Sequence, residues 1–191
     1  AMDKFWQSWQ ELSLNPGEPA ERKAVVQRSK NLMEGIRHRY ESLKEIREML
    51  ELDVTATVKQ VNDLATEIAD LNSQILKVQA MGDNPNDLLD KRDKLVENLS
   101  GLININVDNR DPDEFTVHTS GLIFIQGSNT HPLATEPNPS DEGYSDVVWA
   151  ADGERARFSG GKLSALIELR DTDVRNEIQK LDMMTINFID M

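Results

Sequence analysis

The sequence contains no cysteine among its 191 residues, which excludes disulfide bonds and metal sites built from thiolates. No run of about eighteen apolar residues occurs, so no segment is predicted to span a membrane. A signal peptide is not visible either, because Phe5, Trp6 and Trp9 stand among polar residues. Aromatic residues make up only 5% of the chain, which is low for a compact fold and ordinary for a helical bundle.

Basic residues are outnumbered, with 21 Lys and Arg against 34 Asp and Glu, for a net charge of −13. Such a chain repels the phosphate backbone of nucleic acids. The acidity favours solubility, and the lack of cysteine suits a protein that must remain unfolded during export. Composition therefore predicts neither a nucleic-acid partner nor a membrane partner.

Helix breakers are nearly absent from Glu18 to Met81, where only Pro19 and Gly35 occur. Proline is tolerated in the first turn, so Pro19 fits a helix start. The sequence predicts one nearly continuous helix from about Pro19 to about Met81, roughly 90 Å long. Such a rod spans distance or builds an assembly, and it is an unusual basis for a catalytic cleft. Its apolar residues alternate spacings of three and four, typical of a heptad seam packed on neighbours: Val61, Leu64, Ile68, Leu71, Ile75 and Val78.

Shorter helices flank this run. One is predicted from about Lys4 to Leu14 and ends at the breaker triplet Asn15-Pro16-Gly17. Within the long run, the heptad phase slips between Asp53 and Val58, which predicts a stutter or a kink. A third helix is predicted to start at Asn84 or Asn86, both good N-caps. Its core positions are Leu88, Leu95, Leu99 and Leu102.

A final helix is predicted after Ser159-Gly160-Gly161. Its apolar residues recur at every seventh position, at Ile167, Val174, Leu181 and Phe188. Because a long amphipathic helix cannot bury its stripe alone, we expect this helix to lie antiparallel to the C-terminal half of the long helix, with Val174 near Leu71.

Between these helices the apolar period changes from 3.6 to 2. The pattern predicts a strand over 103–107, a turn at 111–113 and a β-hairpin over 114–126. A loop rich in Pro, Asn, Ser and Gly is predicted over 127–146. Residues 147–149 and 156–158 flank Asp152-Gly153, which is a second hairpin signal.

The predicted fold class is mainly α with a small antiparallel β element (α+β). The expected architecture is an elongated bundle of long helices with β-hairpins inserted before the last helix. Residues 1–102 and 159–191 are assigned to the long-helix bundle. Residues 103–158 are assigned to the small β-hairpin element, with a flexible loop at 127–146.

No constellation of residues points to catalysis. The three histidines, His38, His118 and His131, lack partners at metal-ligand spacing. Gly160-Gly161 lacks the remaining glycines of a phosphate loop and fits a strand-to-helix hinge better. The aspartates from Asp108 to Asp113 lack the glycine and the closing glutamate of a calcium loop and are more typical of a turn. We therefore predict no enzyme, no cofactor and no catalytic, cofactor-binding or metal-binding residue.

Two groups of residues leave alternatives open. The cluster of Phe5, Trp6 and Trp9 is either a binding patch or a set of contacts that fastens a short helix to a longer one. Asn72 and Arg92 lie beside apolar faces. They either fix the register of packed helices or extend their polar ends to solvent.

Four segments resemble the flagellar hook-associated protein 1 family in order and spacing. The most specific are Asn86-Asp87-Leu88-Leu89-Asp90-Lys91-Arg92-Asp93 and Gly160-Gly161-Lys162-Leu163-Ser164-Ala165-Leu166-Ile167-Glu168-Leu169-Arg170-Asp171. The others are Phe5 to Pro16, followed by Ala20, Arg22 and Val25, and Val61 to Leu64 with Ile68 to Ile75. The resemblance covers the chain apart from 127–146.

The resemblance implies a non-enzymatic structural subunit at the hook–filament junction of the bacterial flagellum, exported by the flagellar type III apparatus. It implies a D1-type helical domain, with the hook protein, the second junction protein and further copies of itself as partners. The implied location is the flagellum, extracellular or periplasmic if the flagellum is internal. An export chaperone would bind segments outside this chain.

The ends of the sequence add to this expectation. Ala1-Met2 resembles a cloning remnant, and Ile186 to Met191 stops within an apolar helical pattern. We expect a central fragment that lacks the family's terminal polymerisation segments and is monomeric by itself. The alternative is an elongated helical adaptor or surface-binding module that recognises a ligand through its β element.

Overall fold

A computed structural model describes residues 1–109 and 115–189. The predicted turn at 111–113 lies outside the described residues, as does most of the Asp108 to Asp113 segment. The chain divides into two compact units, residues 1–48 with 173–191 and residues 49–172. The predicted division into 1–102 with 159–191 and 103–158 follows other boundaries and stays a prediction. Among the described residues, no helix combines the length and apolarity needed to cross a bilayer.

The described residues confirm a mainly α fold with a small antiparallel β element. The α-helices are α1 (Met2–Leu14), α2 (Pro19–Ala80), α3 (Asn86–Leu102), α4 (Gly161–Glu168) and α5 (Arg175–Ile189). A π-helical segment, Leu169–Val174, joins α4 to α5, and Pro139–Asp141 forms a 3₁₀ turn. The strands are β1 (Asn106–Asp108), β2 (Thr116–Thr119), β3 (Leu122–Gln126), β4 (Asn129–Thr130), β5 (Leu133–Pro137) and β6 (Ser145–Trp149).

The long helix α2 is continuous, as its lack of breakers predicts. It begins at Pro19. Proline has no backbone N–H, but the N–H groups in the first turn of a helix have no acceptor within the helix, so no hydrogen bond is lost there. The helix continues through the predicted phase slip. There Asp53 is exposed while Val54 and Thr57 are buried, so the core face is kept.

The heptad seam of α2 is buried unevenly. Val61, Ile68 and Ile75 are at most 2% exposed, whereas the alternate positions, Leu64, Leu71 and Val78, are only half-buried. Val61, Ile68 and Ile75 therefore face the interior of the 49–172 unit, and the positions that alternate with them lie at its edge.

This difference predicts unequal effects of truncation. Ile68→Ala should lower the free energy of unfolding by about 3 kcal/mol, because it leaves a cavity at a fully buried site. Leu71→Ala, the matched control one turn away, should cost only about 1 kcal/mol because Leu71 is half-buried. Urea unfolding followed by circular dichroism compares the two variants, and equal losses would contradict the seam assignment.

The 1–48 with 173–191 unit contains α1, the first half of α2 and α5. Phe5, Val25 and Leu32 form its buried centre, and the Phe5 and Phe188 ring centroids lie 5.0 Å apart. Arg39 on α2 forms an ion pair with Glu177, the N–O distance being 3.9 Å. The start of α5 therefore lies beside Arg39, and its end lies beside the earlier residues Val25 and Leu32. This order makes α5 antiparallel to α2.

The predicted partner of the last helix was right for α4, where Ile167 packs with the core on the C-terminal half of α2, and wrong for α5. Leu181 lies with Ile36 and Tyr40 in the N-terminal half of α2 rather than beside the C-terminal half. The reason is that α3, α4 and the two sheets already cover the α2 seam from Val54 to Ala69. The apolar face of α1 and early α2 remains for α5.

The four-stranded sheet has the order β1-β2-β3-β4, with all neighbours antiparallel. It confirms the predicted hairpin, whose turn residues Ser120 and Gly121 have φ values of 53° and 80°. Positive φ at both positions matches the right-handed twist of the strands. The strand predicted over 103–107 instead begins at Asn106, because fully buried Ile103 still closes the end of α3.

The loop predicted over 127–146 is largely ordered structure. It contains β4, β5 and the start of β6, and β5 pairs with β6 from Leu133–Trp149 to Pro137–Ser145. The second predicted hairpin is formed only in part: residues 156–158 form no strand, but Val148 bridges to Arg155, the Trp149 N–H donates to the Glu154 carbonyl at 2.8 Å, and the Ala156 N–H donates to the Val147 carbonyl at 2.9 Å. The pairing of β5 with β6 could not be predicted from hydrophobic alternation, because several residues of these strands are polar. The partners that hold it, described below, come from α2 and from Arg170.

Candidate functional site

A polar contact joins α2, α3 and the sheet in the core of the 49–172 unit. The Asn72 side-chain amide donates to the Gly127 carbonyl at 2.7 Å, and Arg92 Nη1 donates to Asn72 Oδ1 at 3.3 Å. The Arg92 guanidinium lies 4.0 Å from the centroid of the Phe115 ring. Burial lowers the pKa of Arg92 and Asp93 opposes that shift, yet an arginine keeps its charge. Asn72 and Arg92 are 3% and 5% exposed, so extension to solvent is excluded for both.

Asn62 attaches β5 to α2 through both ends of its side-chain amide. Its Nδ2 donates to the Leu133 carbonyl at 2.8 Å, and the Leu133 N–H donates to Asn62 Oδ1 at 2.9 Å. Asn62 was not predicted to have this role. The sequence does contain one indication of this role. Asparagine is unfavourable inside a helix, yet Asn62 lies within a long helix and next to Val61, a buried seam position.

Removing this amide should loosen β5. Asn62→Ala leaves the buried N–H and C=O of Leu133 without partners and should cost about 2 kcal/mol of unfolding free energy. The control is Asp63→Ala, which removes an exposed ion pair with Lys59 and should cost about 0.5 kcal/mol or less. Hydrogen exchange of the β5 and β6 amides, measured with urea unfolding, reports the result. Unchanged protection of β5 in Asn62→Ala would contradict it.

Arg170 is the centre of a third group of polar contacts in this unit. It is 1% exposed, its Nη2 donates to the Ser145 carbonyl at 2.9 Å, and its Nε donates to Asp171 at 2.6 Å. Its Nη1 pairs with Glu51 of α2, which also accepts the Ser145 N–H at 3.2 Å. Burial by itself would lower the pKa of Arg170, but Asp171 and Glu51 outweigh it and raise that pKa. The start of β6 is thereby joined to α2 and to the π-helical segment.

These contacts join separate elements of the fold. Asn62 and Asn72 donate to backbone carbonyls, Arg92 donates to Asn72, and Arg170 donates to Glu51 and to a backbone carbonyl, so these contacts join elements distant in sequence. Hydrogen bonds between buried polar groups fix one relative position of the packed elements. The arrangement holds both small sheets against α2.

The histidines lie apart from one another in chain position and surroundings. His38 is exposed on α2 beside Ser42, and His131 is exposed after β4. His118, in β2, lines an open polar cavity of about 950 Å³ beside β1. Within residues 1–109 and 115–189, no three His, Asp or Glu side chains are grouped as metal ligands would be. The expectation of no metal, cofactor or catalytic residue stays a prediction.

Gly160 and Gly161 stand where the strand region gives way to α4, which begins at Gly161. Gly161 has φ +84°, and a Cβ there would lie 2.6 Å from the Leu102 carbonyl oxygen. The space beside this glycine is thus filled by the end of α3, and no room is left there for a phosphate. Gly161 thus allows a close approach of α4 to the end of α3.

The aromatic residues of α1 were expected either to form a binding patch or to fasten this helix to a longer one, and different residues fit each alternative. Phe5 is 6% exposed and fastens α1 to α2, whereas Trp6 and Trp9 are 41% and 47% exposed. Trp6 lines a shallow apolar groove with Met183, Met184 and Phe188 of α5. Fastening and an exposed surface therefore coexist on one short helix.

Comparisons with known proteins identify the family. The family model described as "Flagellar hook-associated protein FlgK helical domain" matches residues 1–191. Flagellar hook-associated protein 1 of Salmonella typhimurium is 26% identical over 199 residues, which cover 100% of this chain and 36% of that protein. The Bacillus subtilis protein of the same name is 30% identical over 179 residues, covering 92% of this chain and 34% of its own.

A solved structure gives the same answer. The flagellar hook junction protein FlgK from Burkholderia pseudomallei superposes with a TM-score of 0.76 at 26% identity, covering 87% of this chain and 31% of its own. The chain spans about a third of the length of the curated relatives it matches. Because the family model covers every residue, the chain belongs to the flagellar hook-associated protein FlgK family, as its helical domain.

Proposed function

We infer that the full-length protein is a structural subunit of the bacterial flagellum at the hook–filament junction, and that residues 1–191 form its helical domain. The observation that supports this most is the match of the whole chain to the family's helical domain, together with relatives named for the hook and its junction. The protein is not an enzyme in this proposal and uses no cofactor.

The geometry of the 49–172 unit suits a subunit that carries mechanical stress. A junction between two rotating parts transmits torque. A subunit whose sheets shifted against their helices would deform under that torque instead of transmitting it. Asn62, Asn72 and Arg170 fasten both sheets to helices at three places through hydrogen bonds to backbone groups, and Arg92 joins α3 to Asn72 of α2. Buried pairs of this kind favour one arrangement over near alternatives.

Export and location follow from the same proposal. The subunit passes unfolded through the flagellar type III apparatus, and the lack of cysteine prevents disulfides from trapping it beforehand. An export chaperone binds segments outside residues 1–191. The subunit then works in the flagellum, outside the cell or in the periplasm when the flagellum is internal. There it contacts the hook protein, the second junction protein and its own copies.

The 191-residue chain alone is expected to be monomeric, because its net charge of −13 makes copies repel each other. Sedimentation velocity should show one species of 21.6 kDa at all concentrations. At low salt the repulsion is strongest, since the screening length grows to about 30 Å at 0.01 M. A discrete dimer or a filament of this chain would contradict the expectation.

The test of the function is genetic and structural. Deleting the gene for the full-length protein in the bacterium that carries it should leave hooks without filaments, because the piece that joins the two is missing. Electron microscopy counts hooks and filaments, and a plasmid copy of the gene should restore the filaments. Immunogold labelling with antibody raised against residues 1–191 should mark the outer end of the hook. A deletion strain with attached filaments, or label spread along the filament, would reject the proposal.

A further inference from the structure

The sheet formed by β5 and β6 has only two strands, and such a pair is marginally stable by itself. One face of it packs on α2, because Leu133 and Trp149 share a core cluster with Val58 of that helix. Covering a face does not cover the edges of a sheet. An open strand edge presents unpaired N–H and C=O groups, with which a strand of another molecule can pair. The way in which each edge is closed therefore decides whether copies of the chain can join through this sheet.

The outer edge of β6 is occupied from its start to its end. Residues 154–156 pair with the second half of β6 through backbone hydrogen bonds. At the start of β6, side chains take the place of a strand. The Ser145 N–H donates to Glu51 at 3.2 Å, and the Ser145 carbonyl accepts from Arg170 at 2.9 Å. One acceptor and one donor are what a neighbouring antiparallel strand would offer at such a position.

The pairing register fixes which backbone groups of β5 point away from β6. The Val147 carbonyl accepts from the Ala156 N–H at 2.9 Å on the far side of β6, so the pair of Val147 with Thr135 is of the kind without hydrogen bonds. The N–H and C=O of Thr135 therefore point outward. Because backbone direction alternates along a strand, Leu133 and Pro137 share this orientation. The outer edge of β5 consists of these three residues.

Two of the three positions on the β5 edge are closed. Asn62 offers Leu133 the donor and the acceptor that a neighbouring strand would offer, at 2.8 and 2.9 Å. Pro137 has no N–H to donate to an added strand. Within residues 1–109 and 115–189, Thr135 is the position whose outward N–H and C=O have no protein partner. One position cannot hold an added strand, since strands are usually at least about three residues long.

We propose that side chains close both edges of the β5–β6 sheet against strand addition, and that Asn62 is the closure of the β5 edge. Without Asn62, the outward groups of Leu133 and Thr135 become a continuous edge. The strand that fits this edge is β5 of a second copy, related by a two-fold axis. The two strands would pair antiparallel, with Thr135 opposite its own counterpart and Leu133 opposite Pro137. The closure matters wherever copies of the chain are held close together.

An open-edge variant, Asn62→Ala with Pro137→Val, tests the closure. Sedimentation velocity at 0.15 M salt, where charges are screened beyond about 8 Å, should show that it dimerises at least about tenfold more strongly than the unchanged chain. The control is Ile68→Ala, which is expected to lose a comparable amount of stability but keeps both edges closed. It should sediment like the unchanged chain. An open-edge variant that folds and stays monomeric, or equal dimerisation of Ile68→Ala, would overturn the proposal.

Two further changes in the open-edge variant locate the pairing. Thr135→Pro removes an outward N–H that β6 does not use, and it should return the variant to a monomer. Thr135→Cys should form a disulfide-linked dimer on mild oxidation, because paired copies place residue 135 opposite itself and the chain has no other cysteine. The control Gln79→Cys, at an exposed position of α2, should crosslink far less. Association that survives Thr135→Pro, or equal crosslinking at the two positions, would overturn the pairing.

Amide hydrogen exchange tests the edge in the unchanged chain, without any variant that must fold. The Thr135 N–H points outward without a protein partner, whereas the Leu133 N–H donates to Asn62. The Thr135 amide should therefore exchange at least about tenfold faster than the Leu133 amide. Equally slow exchange of the two amides would show that another group covers the β5 edge, and the role assigned to Asn62 would be wrong.

Discussion

Replacing Gly161 with alanine is expected to destabilise the 49–172 unit by about 2 to 5 kcal/mol. Gly161 has φ +84°, a left-handed conformation that costs a residue with a Cβ about 1 to 2 kcal/mol. The new Cβ would lie 2.6 Å from the Leu102 carbonyl oxygen and 2.7 Å from the N and Cα of Ile103. Since these are backbone atoms, α4 would have to separate from α3, and such overpacking costs about 1 to 3 kcal/mol more.

The neighbouring glycine is the matched control for this substitution. Gly160 has an extended backbone with φ −175°, and a Cβ there would meet only the Asn104 Cβ at 3.9 Å. Gly160→Ala should therefore change the free energy of unfolding by about 0.5 kcal/mol or less. Urea unfolding of both variants beside the unchanged chain gives the comparison. Similar losses at the two positions would show that the close approach of α3 and α4 is not what fixes Gly161.

Periodicity and breakers were sufficient to predict the helices and one hairpin. The 62-residue α2 follows from an unbroken run, and the β2–β3 turn follows from Ser120-Gly121 between alternating residues. Both features depend on residues close together in the chain. Pairing of β5 with β6 depends instead on an anchor 71 residues away, Asn62, which no local pattern contains.

The predicted position of α5 was wrong because other elements cover the part of α2 on which it was expected to pack. Ile167, Val174 and Leu181 recur like one continuous stripe, but the π-helical segment Leu169–Val174 interrupts the α-helical phase between them. The stripe therefore divides, with Ile167 against the core of the 49–172 unit and Leu181 beside Ile36. The sequence indicated which faces are apolar, but which faces meet depends on coverage by other elements.

Buried charge was the least predictable feature. Asn72 and Arg92 can be identified in the sequence because they lie beside apolar faces, whereas Arg170 stands out only as part of a segment that resembles the family. Its partner Glu51 lies 119 residues away. In a chain with 34 acidic residues, sequence alone does not distinguish Glu51 from its solvated neighbours.

Arg170 also supports the second large expected effect. Its side chain is 2% exposed, and the side chains of its acidic partners are shielded as well, Glu51 at 21% and Asp171 at 19% exposed. Removing one partner from a buried pair is costly because the remaining charge keeps its desolvation penalty without compensation. Here the loss would extend to the Ser145 carbonyl, which accepts from Arg170 at 2.9 Å.

Arg170→Ala should lower the free energy of unfolding of the 49–172 unit by about 3 to 5 kcal/mol. The control is Arg157→Ala, at an exposed arginine of the same unit, which should change it by about 0.5 kcal/mol or less. Arg170→Lys keeps the charge but loses the planar fork, so it should fall between the two. Adding Glu51→Gln to Arg170→Ala should cost less than the sum of the single changes, because the unpaired carboxylate is then gone. Additive losses across that cycle would mean that Arg170 acts through packing of its stem and not through its bond to Glu51.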